Sequence, residues 1–130
     1  MGTNDERSAA DDDRAQAERE AQARDRLLAH GADALAPRPW RPPPMPPSAT
    51  ELTQYAVSRA GDLSREELLS ALTLLPAARA EQDGIESGLL FLARSEGLTW
   101  SQIAEAMGFR SRQACQQYAD RLNTRGENRP

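Results

Sequence analysis

The sequence contains no lysine, and all 16 of its basic residues are arginine. This excludes chemistries that need a lysine amine, namely Schiff-base catalysis, a P-loop lysine and a lysine general base. The single histidine, His30, and the single cysteine, Cys115, cannot form a Cys/His zinc site or an internal disulfide, and such sparse cysteine fits a reducing cytosol. We therefore expect a binding protein that is not an enzyme and that holds no metal or cofactor.

Apolar β-branched residues are also scarce, with one valine and two isoleucines among many Leu, Ala, Arg and Glu. Strands favour β-branched and aromatic residues in alternation, whereas Leu, Ala, Arg and Glu favour helices, so the composition predicts an all-α protein. No apolar run approaches the roughly 20 residues of a membrane span, and the charged N-terminus has no signal-peptide apolar segment. We expect a cytoplasmic protein.

Residues 1–36 are acidic, with nine Asp and Glu against five Arg, and they include few large apolar side chains. Helix propensity allows a helix from about Ala9 to His30 with Gly31 as its stop, but such a helix has almost no apolar face to bury. The segment is expected to be a disordered or loosely helical tail that aids solubility. An alternative is an acidic arm that mimics DNA and screens a basic surface of the same protein.

Residues 37–47 form a proline-rich linker in which seven residues are proline. Such a segment favours polyproline II, and it predicts a stiff spacer of roughly 3 Å per residue. Arg41, Pro44 and Pro47 also fit a basic-x-x-Pro-x-x-Pro ligand pattern for aromatic grooves. Trp40 is a candidate for docking on the folded domain or on a partner.

Residues 48–126 have the apolar spacing of a folded helical domain, and residues 127–130 are expected to form a short tail. Three capping boxes mark helix starts: Ser48 with Glu51, Ser64 with Glu67, and Thr99 with Gln102. The first three helices are predicted at about 49–60, 65–75 and 77–96. Their predicted inward faces carry Leu52, Tyr55 and Ala56 in the first, Leu68, Leu69, Leu72 and Leu75 in the second, and Ile85, Leu89 and Leu92, with Phe91 beside them, in the third.

Gly84 and Gly88 stand four residues apart within the third predicted helix. Each costs roughly 1 kcal/mol of helix propensity relative to alanine. We expect the compensation to be close backbone approach by another helix, either within the domain or across a dimer. A core built from about 79 residues is small, and self-association would add to its stability.

The segment from Thr99 to Asn123 has the spacing of a helix-turn-helix. A short helix is predicted from Trp100 to Met107, with Ile103, Ala104 and Met107 inward, and Gly108 then supplies the positive φ that reverses the chain. Ser111 caps a second helix, and Ala104, Gly108 and Ala114 have the spacing that two closely crossing helices need. Phe109 fills the angle between the helices. Because no strand pair follows, we expect no wing.

The second helix of this segment is expected to bury Ala114, Tyr118 and Leu122, with Cys115 at the edge of that stripe. Its outward face is rich in Arg and Gln, which read adenine and guanine edges or bind phosphate. The candidate DNA-binding residues are Arg110, Ser111, Arg112, Gln113, Gln116, Gln117 and Arg121. Cys115 is expected to act as a small hydrophobe in place of alanine, with a redox switch as the alternative.

The stretch from about Leu68 to Leu122 resembles small helix-turn-helix proteins of high-GC Gram-positive bacteria. The matching pieces are Ala93-Arg94, Gly97, Thr99-Trp100, Ile103-Ala104, Gly108 and Ser111-Arg112-Gln113-Ala114. The resemblance implies sequence-specific DNA binding and transcriptional control, with Arg112 and Gln113 reading bases or phosphates and Trp100 in the core. Two departures are Cys115 in a place usually held by alanine, and the neutral Gln116 and Gln117 where relatives often carry arginine.

Charge is unevenly distributed, since residues from Leu98 onward carry five Arg against three acids, whereas residues 51–97 carry four Arg against eight acids. One copy reaches few phosphates, so we expect a nucleoid-associated homodimer that reads two half-sites of double-stranded DNA. One alternative is an adaptor that binds RNA polymerase, a sigma factor or another regulator. Another is a phage or plasmid component for DNA packaging or maintenance.

Overall fold

The computed structural model describes residues 2–127, and all regular secondary structure in this part of the chain is helical, with no β-strand. Six α-helices follow one another: α1 Gly2–His30, α2 Ala49–Ser58, α3 Arg65–Thr73, α4 Leu75–Ser95, α5 Trp100–Met107 and α6 Arg112–Glu127. A short 3-10 helix, Ala32–Ala34, follows α1. The all-α prediction is confirmed. Of the tail expected at 127–130, Glu127 belongs to α6, and the other three residues lie outside the described part.

All three predicted capping boxes are present. Ser48, Ser64 and Thr99 each accept a hydrogen bond from the backbone N–H three residues later, and the side chains of Glu51, Glu67 and Gln102 return to the capping N–H groups. Each box stabilises its helix because it satisfies backbone donors that the first turn leaves without partners. For this reason α2, α3 and α5 begin at the residues that the sequence indicates.

The chain divides into two compact units, an N-terminal unit ending at Arg79 and a C-terminal unit beginning at Ala80. The core of the N-terminal unit contains residues of α1, the 3-10 helix, α2 and the C-terminal end of α3. Its buried residues are Ala23, Leu27, Ala32, Ala49, Leu52, Tyr55 and Leu74. The C-terminal unit has a smaller core around Ile103, Ala104 and Cys115.

The expectation that residues 1–36 have no apolar face to bury is wrong. Leu27 has no exposed surface, and Ala23 lies one turn before it in the same core. Arg26 also donates a hydrogen bond to the buried Ser70 hydroxyl of α3 at 3.2 Å. The apolar stripe is narrow and is confined to the second half of the helix, so a composition averaged over the whole segment conceals it.

The proline-rich segment is not an extended spacer. Its backbone turns between Arg38 and Arg41, whose N–H and C=O groups pair with each other at 2.9 and 3.3 Å. The Arg41 side chain is buried and forms an ion pair with Glu51 at 2.7 Å. Because Arg41 and Pro47 are both buried, they are not displayed as part of a basic-x-x-Pro-x-x-Pro ligand.

The predicted inward face is correct for α2 and wrong for α3 and α4. Leu52, Tyr55 and Ala56 are buried, as expected. On α3, Leu68, Leu69 and Leu72 are at least half exposed, while Ser70, Ala71 and Leu74 face the core instead. On α4, the exposed side chains are Ile85, Leu89, Phe91 and Leu92, while Leu90 and Ala93 pack on the small core of the C-terminal unit.

Candidate nucleic-acid interface

The turn between α5 and α6 sets the orientation of α6 relative to α5. Gly108 ends α5 with φ 80° and ψ 20°, the left-handed conformation that the sequence predicts there. Phe109 follows, and its N–H bonds to the carbonyl of Ala104 at 2.8 Å while its ring packs against Tyr118 at a centroid distance of 5.3 Å. The Ser111 hydroxyl then accepts a hydrogen bond from the N–H of Ala114 at 3.1 Å, which caps the start of α6.

The buried side of α6 differs by one position from the predicted stripe. Cys115, Ala119 and Leu122 are buried, whereas Ala114 and Tyr118 are only partly buried. Cys115, rather than Ala114, lies in the core with Ile103 and Ala104, while Tyr118 packs against the Phe109 ring. Leu122 is buried as predicted. Met107, expected inward, is 37% exposed.

Cys115 behaves as a buried apolar residue. Its side chain has no exposed surface and lies in the core with Ile103 and Ala104. Burial raises the pKa of the Cys115 thiol, so its reactive thiolate form is disfavoured. The geometry agrees with the small-hydrophobe interpretation and gives no support to the redox alternative.

Glu86 and Arg94 of α4 form contacts that help to hold α6 and the start of α5 in place. The Tyr118 hydroxyl bonds to the carboxylate of Glu86 at 2.6 Å. The guanidinium of Arg94 lies over the Trp100 ring, 5.2 Å from its centroid, and it also donates to the carbonyl of Leu98 at 2.8 Å. Trp100 packs against the core of the C-terminal unit, as the resemblance implies.

Six of the seven candidate DNA-binding residues are exposed, and Gln116 is half-buried instead. The exposed ones are Arg110, Ser111, Arg112, Gln113, Gln117 and Arg121. At 100° per residue, Gln113 and Gln117 lie opposite the buried side of α6, while Arg112 and Arg121 lie at the two edges of the exposed face. Within residues 2–127, none of the three exposed arginines, Arg110, Arg112 and Arg121, forms an ion pair.

Asp120 and Thr124 also lie at the centre of this exposed face, and neither is among the predicted binding residues. Both side chains are exposed, and the Thr124 hydroxyl donates to the carbonyl of Asp120 at 3.0 Å. The signal that identifies them is their helical spacing from the exposed Gln117, three residues to Asp120 and seven to Thr124. A carboxylate repels phosphate but accepts a hydrogen bond from the N4 amino group of cytosine.

The described residues 2–127 include no group of three or more His, Cys, Asp or Glu side chains that could hold a metal ion, and none of their helices is long and apolar enough to cross a membrane. No protein-family model matches the sequence, and no curated protein or solved structure is significantly similar to it. The face of α6 is therefore interpreted from its own residues.

Proposed function

We propose that the chain is a sequence-specific DNA-binding protein, a transcriptional regulator that reads the major groove with residues 112–123 of α6. The observation that carries the proposal is the exposed face of α6, where Gln113 and Gln117 are flanked by two arginines that have no ion-pair partner in the described part of the chain. A major groove admits one α-helix, and Gln and Arg recognise adenine and guanine by paired hydrogen bonds.

The two helices α5 and α6 serve as a helix-turn-helix in this proposal. The capped start of α6 points backbone N–H groups outward, and Arg110 and Arg112 flank it, so this end of the helix suits a DNA phosphate. The central position of Asp120 favours contact with a cytosine over contact with the backbone. The small number of unpaired arginines predicts modest affinity for one copy, and a homodimer on two half-sites compensates for it.

Selection from a random duplex-DNA library with the full-length protein tests the proposal. We expect an enriched two-fold motif with half-sites about one helical turn apart. Gln113→Ala and Gln117→Ala should each relax preference at one position by about 5- to 100-fold, whereas Gln54→Ala, an exposed glutamine of α2, should change nothing. Absence of enrichment with folded protein, or an unchanged preference in both α6 variants, would overturn the proposal.

The arginines make a separate and measurable contribution. Arg112→Ala and Arg121→Ala should weaken binding to all sequences, and each should reduce the slope of log affinity against log salt by about one if its arginine neutralises one phosphate. Arg59→Ala, a substitution in the N-terminal unit, is the matched control. A salt slope that is unchanged in both α6 variants would show that these arginines do not contact phosphate.

A second candidate function, an adaptor for RNA polymerase or another regulator, is favoured by one observation. Trp40 is 76% exposed at the turn that the buried Arg41 holds in place. A large aromatic side chain on a rigid turn is suited to a protein pocket. An apolar interface of this kind keeps its affinity as salt rises, whereas DNA binding through arginine weakens steeply, so the salt dependence distinguishes the two functions.

A further inference from the structure

The part of α4 that belongs to the C-terminal unit exposes a large apolar face. Ile85, Leu89, Phe91 and Leu92 each keep more than half of their surface exposed. No residue of the 21-residue helix is buried by the described chain. Exposed apolar patches of this kind mark interaction surfaces, because an amphipathic helix normally buries such a stripe.

Three charged side chains of α4 turn to the side opposite this apolar face. Asp83 pairs with Arg125 at 3.9 Å, Glu86 bonds to Tyr118, and Arg94 lies over Trp100. The face directed away from them is uncharged from Gly84 to Ser95, and Glu81 and Glu96 lie at its two ends. It consists of Gly84, Ile85, Gly88, Leu89, Phe91, Leu92 and Ser95.

Two glycines make a notch in this face. A Cβ atom built on Gly84 or Gly88 would meet no atom within 4 Å, so the close approach expected at these positions does not come from the described chain. Each glycine nevertheless costs about 1 kcal/mol of helix propensity. The notch therefore lies open beside large apolar side chains on one and the same surface.

We propose that this face of α4 is the interface of a homodimer in which two copies of the helix cross antiparallel at Gly88. In that register Gly84 of one copy lies opposite Leu92 of the other, and Ile85 lies opposite Phe91. A two-fold interface requires such a self-complementary patch, because each copy supplies both the small residues and the large ones. A pairing of this kind buries all four apolar side chains of each copy.

A second copy fits this face better than any charged partner does. The chain carries a net charge of −4, so two copies approach most easily through the uncharged central part of this face, from Gly84 to Ser95. An uncharged apolar face offers nothing to DNA phosphates. The C-terminal unit also has a small core, and burial of this face adds apolar area that the unit lacks by itself.

Sedimentation equilibrium of the full-length protein without DNA tests the interface. We expect a concentration-dependent dimer. Leu89→Arg should raise its dissociation constant by at least about 100-fold, since the change places two charges in the apolar contact. Leu69→Arg is the matched control, because Leu69 on α3 has the same 61% exposure, and it should leave the constant unchanged.

Gly88→Leu provides a second test that does not depend on added charge. The site is open in one copy, so the variant should remain folded, while the dimer dissociates because the notch is filled. Gly126→Leu, at another open helical glycine, should leave the dimer intact. Far-UV circular dichroism confirms that each variant is folded.

Three results would overturn the interface: a monomer at about 100 μM, dissociation by Leu69→Arg but not by Leu89→Arg, or an unchanged dimer in Gly88→Leu. The interface does not rest on the proposed function, because the mass is measured without DNA. A monomer that still selects a DNA motif overturns only the interface. A dimer that selects no motif overturns only DNA binding.

Discussion

The hydroxyl of Tyr118 on α6 lies 2.6 Å from both carboxylate oxygens of Glu86 on α4 and donates its proton to that carboxylate. The hydrogen bond to Glu86, aided by burial, raises the pKa of Tyr118. Since Tyr118 also packs on Phe109, this one side chain links α4, α6 and the turn between α5 and α6. It therefore helps to set the direction in which the exposed face of α6 points.

Removal of this hydroxyl should weaken the C-terminal unit without changing the residues that face outward. We expect Tyr118→Phe to lower the free energy of unfolding by about 2 kcal/mol, because the half-buried Glu86 carboxylate loses its donor. Urea denaturation followed by circular dichroism measures the loss. In a Glu86→Ala background, which has no acceptor for the hydroxyl, the same change should cost much less, and equal costs in both backgrounds would contradict the contact.

The left-handed conformation of Gly108 predicts a penalty for any side chain at that position. Gly108→Ala should destabilise the C-terminal unit by about 1 kcal/mol, since φ is 80° there, although a Cβ atom would meet no neighbour within 4 Å. Gly126→Ala is the control, because this glycine is helical and equally open, and it should cause no loss. Thermal melting compares the two variants, and equal melting temperatures would exclude backbone strain at Gly108.

The features that the sequence predicts well are those set by a few neighbouring residues. The bounds of α5 follow from the Thr99 and Gln102 capping box at its start and from Gly108 at its end, and the structure has the same bounds. The end of α1 before Gly31 is likewise set by a neighbouring residue in the sequence. Capping and glycine preferences act within one turn of helix, so they can be recognised without knowledge of the rest of the fold.

The features that the sequence does not predict depend on distant partners. Leu27 is buried against a core that includes Leu74, 47 positions later, and α1 approaches α3 at the small Ser70 rather than at its leucines. The leucines of α3 are exposed for this reason, although hydrophobicity alone places them inside. Of the candidate DNA-binding residues, Gln116 is half-buried because the buried side of α6 is centred on Cys115, Ala119 and Leu122, next to Gln116 on the helix.

The burial of Arg41 predicts a large effect from a residue in the proline-rich segment. Its guanidinium donates to Glu51 and to the carbonyls of Ala36 and Met45. Arg41→Met should destabilise the N-terminal unit by about 3 kcal/mol because these acceptors lose their donor. Arg38→Met, at an exposed position of the same turn, should change stability by less than about 0.5 kcal/mol. Similar effects of the two variants in urea denaturation would contradict the anchoring role of Arg41.

The pairing of Glu51 predicts a loss of stability in acid. Burial by itself would raise the pKa of Glu51, but hydrogen bonds from Arg41 and from the Ser48 N–H, with the charge of Arg41, lower it below the ordinary 4.5. The stabilising contribution is therefore complete above pH 4.5 and is lost as the pH falls through the lower value in the folded state. The difference in melting temperature between the original chain and Glu51→Gln should narrow over that range. A constant difference from pH 7 to about pH 3 would contradict the pairing.

The complete burial of Cys115 predicts that its thiol is protected in the folded protein. A disulfide reagent attacks the thiolate, and burial both blocks access and raises the pKa of the Cys115 thiol. We expect reaction at pH 8 to be at least about 100-fold slower than in denaturant, with a rate that follows opening of the C-terminal unit. Gly108→Ala should accelerate the reaction because it favours opening, whereas Arg41→Met, in the other unit, should not. Rapid reaction of the folded protein would instead place an accessible thiol in α6, and a redox-sensitive reading helix would then account for cysteine at this position better than packing does.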